Sequence, residues 1–143
     1  MKRMLALCAF NLFLNTALAD TVDMSLNATK NIAGLGHQVL NLEEKKPYLF
    51  TCKLSPKEIP PAGTIFLDIT LCAINQTEHC PYAYSEGHAD LKQPLLNFKF
   101  TPQPQYIGKQ TNFSVIMQYI PINDDQSALA RYHLSCDYSL ITE

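Results

Sequence analysis

Five cysteines and four histidines are the residues of this chain best equipped for chemistry. Cys72, His79, Cys80 and His88 fall close together, and thiolates with imidazoles are the ligands that zinc takes. Structural zinc sites, however, present their cysteines in pairs roughly two to four residues apart. Cys72 and Cys80 are spaced more widely, so the spacing favours a disulfide, and neither a metal nor another cofactor is expected. His133, Ser135 and Asp137 offer the imidazole, hydroxyl and carboxylate of nucleophilic catalysis. Alternate residues of one strand stand about 6.6 Å apart, too far for a direct relay. No Gly-x-Ser-x-Gly elbow occurs, and Gly34-Leu35-Gly36 lacks the third glycine of a dinucleotide fingerprint. No catalytic residue is therefore assigned. The adjacent acids Glu43-Glu44 and Asp124-Asp125 lack the alternating oxygen ligands around a glycine that a calcium loop needs.

The compartment decides what the cysteines do. Lys2 and Arg3, an apolar stretch over residues 4–14 and the small-residue end Ala17-Leu18-Ala19 read as a secretory signal peptide over residues 1–19, cleaved after Ala19. Residues 20–143 then form a single domain, secreted or periplasmic, in which Cys52, Cys72, Cys80 and Cys136 oxidise. Cys8 leaves with the signal peptide. Of the 11 basic residues, Lys2 and Arg3 also leave, so 9 bases remain against 13 acids and the net charge becomes −4. Without a clustered basic patch, nucleic acid and anionic membrane are poor partners. A second membrane-spanning segment is absent from the sequence. Sequons occur at Asn27, Asn75 and Asn112; they matter only on a route that glycosylates, and a bacterial route leaves them bare.

The elements that must position these residues read as strands. Alternation over residues 48–54 gathers Tyr48, Phe50, Cys52 and Leu54 on one face, and over residues 132–140 Tyr132, Leu134, Cys136, Tyr138 and Leu140. Residues 65–74 put Ile65, Leu67, Ile69 and Leu71 inward and leave Cys72 on the opposite face. Strand phase thus pairs Cys52 with Cys136 inside the core and Cys72 with Cys80 locally. Further strands are expected over residues 21–26, 37–42, 95–100 and 112–120, with single helical turns over 28–36 and 125–130. At 17% charged and 47% apolar residues, the composition excludes a disordered chain. Short alternating strands separated by Pro and Gly turns predict an all-β protein, an antiparallel β-sandwich of immunoglobulin-like architecture with two disulfides. The likeness is architectural only: no Trp is present, and Leu134 stands where a tyrosine corner would place its Tyr.

Recognition is expected in the long connection over residues 75–94, pinned at its start by the Cys72–Cys80 bridge. Loops beyond roughly 12–15 residues are usually functional or disordered. Tyr82, Tyr84 and His88 are its candidate binding residues, offering amphipathic contact area to a protein partner; alternatively the tyrosines fold back over an open end of the core. Leu49, Phe66, Ile116 and Ile120 form a second candidate, because they put apolar side chains where alternation calls for polar ones. The expected function is an exported, non-enzymatic binding or assembly domain. The rival expectation is a small secreted hydrolase or metal-binding protein using His79, His88 or His133.

Overall fold

The computed structural model describes residues 20–43, 45–73, 80, 82–89, 94–102 and 110–142. The signal-peptide segment, Glu44, Asn75 and His79 lie outside the described residues. Eight strands follow one another: β1 (Asp20–Ala28), β2 (Gly34–Asn41), β3 (Tyr48–Pro56), β4 (Gly63–Ala73), β5 (Tyr82–Ala89), β6 (Leu95–Phe100), β7 (Gln110–Pro121) and β8 (Ala130–Leu140). They build two four-stranded antiparallel sheets, β1-β8-β3-β6 and β2-β7-β4-β5. Seven of these strands match expected ones; six carry apolar residues at alternate positions, and β2 alternates only weakly, with Gly34, Gly36, Gln38 and Leu40 on its inner side. The two expected helical turns are tight turns instead. In one, Thr29 accepts at its hydroxyl from the Ile32 N–H. In the other, the Asp125 carboxylate takes the Ser127 N–H and hydroxyl. An ion pair between Lys30 and Asp124 ties the two turns together.

The sandwich and both disulfides are as the alternation predicts, but the connectivity is not that of an immunoglobulin domain. The chain pairs with itself in mirror order, β1 with β8, β2 with β7, β3 with β6 and β4 with β5. That long hairpin is then rolled up so that β8 also meets β3 and β7 meets β4. This is the jelly-roll arrangement of two four-stranded sheets. The buried bridge differs accordingly. Cys52 and Cys136 are direct register partners on β3 and β8, so the bond lies within one sheet instead of crossing between sheets.

The core fills the space between the inner faces. Phe50 is fully buried and stacks on Phe98 at 5.0 Å and on Tyr138 at 5.1 Å within its own sheet. Across the core its ring meets Phe113 of the second sheet at 5.8 Å. Aromatic pairs of this kind contribute roughly 0.5–1.5 kcal/mol beyond the area they bury, which lets Phe50 serve where a core Trp is missing.

Candidate functional site

The segment expected to be one long loop contains β5, and this is the main correction to the sequence reading. Its eight residues, Tyr-Ala-Tyr-Ser-Glu-Gly-His-Ala, form an edge strand paired on one side with β4. None of them is fully buried, so the apolar alternation that reveals an interior strand is absent. The Cys72–Cys80 bridge joins the end of β4 to the approach to β5, as expected.

A β-bulge decides where the tyrosines point. Tyr84 stands opposite Ile69 and Tyr82 opposite Thr70, so two steps along β5 match one step along β4. The extra residue puts both Ala83 and Tyr84 against the core and turns Tyr82 to the outer face with Thr70. Tyr82 is 65% exposed. The structure therefore separates Tyr82 from Tyr84 and brings Tyr84 together with His88.

Tyr84, Glu86 and His88 register with the core-facing Ile69, Leu67 and Ile65, and so line the inner edge of the sandwich where β5 approaches β6. The Tyr84 ring reaches across to Phe98 of β6 at 6.2 Å and lies nearly parallel to the His88 ring at 6.2 Å. Its hydroxyl donates to Glu86 Oε2 at 2.6 Å. A phenol has one proton, so the 2.8 Å contact with His88 Nε2 is a bond donated by the imidazole. That count leaves His88 Nδ1 as the ring nitrogen open to another partner. Burial, and then the Glu86 carboxylate that holds its proton, raise the Tyr84 phenol well above its ordinary range.

His133 sits elsewhere, on the outer face of the β1-β8-β3-β6 sheet, between its register partners Ser25 and Ser55. Its Nε2 pairs with Asp23 of β1, and not with Asp137 of its own strand. The sequence held no trace of that partner, because strand order is what makes β1 and β8 neighbours. Lys57 donates to the hydroxyl of Ser25 at 2.6 Å. This face is polar, and the His133 and Asp23 side chains are 41% and 65% exposed on it. Among the described residues, no three His, Cys, Asp or Glu side chains come together as a metal-binding group.

The second candidate surface divides between the sheets. Leu49 belongs to β3, whereas Phe66, Ile116 and Ile120 lie on the outer face of the β2-β7-β4-β5 sheet. There Phe66 covers Gly87 of β5, whose missing Cβ would come within 2.6 Å of the ring. Asn112 is the third residue of β7, half-buried on the outer face, and its side-chain oxygen has no hydrogen-bond partner among the described residues.

No family model, curated protein or solved structure matches the chain. Two disulfides are the mark of an oxidising, extracellular type of environment, and no helix among the described residues is long and apolar enough to cross a membrane.

Proposed function

We propose that this is an exported, non-enzymatic binding domain that engages a protein partner through residues 75–94, the segment that the Cys72–Cys80 bridge staples and that continues into β5. Export through residues 1–19, with cleavage after Ala19, belongs to the proposal. The observation that carries it is the state of β5. Its free side has no backbone hydrogen bond among the described residues, and Tyr82 projects from its start at 65% exposure. An edge strand in this state offers main-chain hydrogen bonds to an added strand and an aromatic anchor beside them. Tyr84 and His88 stiffen the strand from behind by stacking and by sharing the Tyr84 hydroxyl.

The rival reading, a secreted hydrolase or metal-binding protein, draws on one observation, the Asp23–His133 pair with a serine on either side. The exposure of both side chains weighs against it, because catalytic and ligand sites enclose their groups.

A photoreactive residue at position 82, introduced into the protein in its own compartment, tests the two readings. The expected result is a specific crosslinked product that is lost when Ser85→Pro blocks the strand edge. Crosslinking no stronger than from position 97, on the polar face of the other sheet, would overturn the binding segment. A hydrolytic or metal-uptake activity lost in His88→Gln or His133→Gln would favour the rival.

A further inference from the structure

The two outer faces of the sandwich differ in kind. On the β1-β8-β3-β6 sheet the outward positions include Asp23, Lys53, Lys99, Arg131, His133 and Asp137. On the β2-β7-β4-β5 sheet they include Leu35, Val39, Phe66, Ile116 and Ile120, which are 71, 48, 38, 38 and 54% exposed. Leu35 and Ile116 are register partners, Phe66 lies diagonal to Ile116, and Ile120 continues the row, so the patch is contiguous. An antiparallel sheet open to water on one side normally alternates to polar residues there.

We propose that this face is the interface of a two-fold dimer of the chain. A two-fold contact sets a surface against itself, so the surface must not repel itself. The outward positions of these four strands carry one charged residue, Asp68, whose carboxylate is engaged by the Ser85 hydroxyl. Residues 20–143, with 9 bases and 13 acids, have a net charge of −4, of which these outward strand positions bear only Asp68. So little like charge suits a second copy, and the lack of Lys and Arg at the strand positions disfavours an anionic lipid surface.

The face also has ridges and hollows for a second copy to engage. The ridge of Leu35 and Ile116 borders one hollow of about 370 Å³ floored by Gly36, His37, Asn112 and Ser114. A second hollow, of about 360 Å³, lies beside Lys30, Ile32, Gln118 and Ile120, the Lys30 ammonium being engaged by Asp124. A rotated copy can set its ridge into such a hollow. Four strands about 4.8 Å apart and about eight residues long present roughly 500 Å² in projection. Side-chain relief brings this to the order of the ~800 Å² per partner of a standard interface.

Sedimentation of the purified, disulfide-intact protein at micromolar concentration tests the dimer. The expected mass is twice that of one chain. Leu35→Glu and Leu35→Lys should each weaken association at least roughly tenfold, and mixing the two should restore the dimer, which no foreign partner would do. Leu49→Glu, on the other sheet, should leave it intact. If a charged variant loses its fold by circular dichroism, Leu35→Ser and Ile116→Ser give the same reading. A wild-type monomer even at millimolar concentration, or a dimer indifferent to Leu35 and Ile116, would overturn the proposal. The product crosslinked from position 82 is assigned by its mass, two copies of the chain for the dimer and any other mass for a partner, so failure of the dimer and failure of the binding segment are read separately.

Discussion

Where β1 passes β2, the sandwich is closed by a side chain bonded to backbone and by a close glycine; where β5 passes β6, it is closed among the described residues by side chain against side chain. On the first side, Gln38 of β2 donates to the Thr21 carbonyl at 2.9 Å and accepts from the Asp23 N–H at 3.2 Å, stitching one sheet to the other. Gly34 lies so near that a Cβ there would stand 2.8 Å from the Asn27 carbonyl oxygen. The second side has Tyr84 laid against Phe98, with the polar Glu86 and His88 beside it. Jelly rolls have sheet edges to manage, and this chain seals one edge and leaves the other with an inward-pointing carboxylate as its guard against indiscriminate pairing. A partner that adds a strand must come to the second side.

The largest test of that contrast is covalent. Removing the Cys52–Cys136 bridge, which closes a separation of 84 residues inside the sheet, should cost about 4.5 kcal/mol on the chain-entropy model. Removing Cys72–Cys80, with a separation of eight, should cost about 2.5 kcal/mol and act near β5. Guanidinium unfolding of the two double Cys→Ala variants checks the order, and equal losses would mean that the β5 side is as essential to the fold as the core.

Next comes glycine. Gly34→Ala forces a Cβ onto the backbone of Asn27 and should cost roughly 1–3 kcal/mol. Gly87→Ala meets only the Phe66 ring, which can turn away, and should cost about half as much or less. The comparison fails if the two variants unfold at the same denaturant concentration.

Tyr84→Phe removes the hydroxyl bonds to Glu86 and His88 from a partly exposed site and should cost about 1 kcal/mol or less. Its sharper signature is alkaline. Burial, with the Asp20 charge nearby, pushes Tyr138 up to about 12, and Tyr84 is raised by burial and Glu86. Both phenols have folded-state values above their unfolded ones, so their contribution is complete below about pH 10 and is lost as the pH rises toward about 12. Unfolding midpoints measured across that window should fall, and less steeply in Tyr84→Phe than in wild type.

The acid limb should show the smallest effect. The Ser127 side chain and backbone lower the Asp125 carboxyl, so its contribution is present above the ordinary carboxylate range and lost as the pH falls through its depressed value. In Ser127→Ala, carboxylate titration by NMR should move Asp125 back up, with little change in the melting temperature.

The parts of this molecule that were legible in the sequence are those where burial imposes a period. Seven strands, the inward Cys52 and Cys136 and the outward Cys72 all follow from which residues must leave water. β5 was hidden because an edge strand whose inner face carries Tyr84, Glu86 and His88 has no apolar alternation to read. The bulge that parts Tyr82 from Tyr84 inserts a single residue, and no residue type announces it. Strand order was equally silent: β1 and β8 are neighbours through the whole roll, so the Asp23–His133 pair depends on residues more than a hundred positions apart.

That same pairing has a consequence for how the chain comes into being. Asp20 opens the first strand, and its partner Tyr138 lies in the last strand, more than a hundred residues further along. The mirror order makes almost every ladder long-range, the kind of topology in which loop closure delays folding. The outermost pair cannot zip until β8 has been made, and the bridge that secures the β3–β8 ladder needs Cys136, 84 residues beyond Cys52. A chain so wired closes late, and its inner bridge locks the roll only once both halves have met and an oxidant joins them.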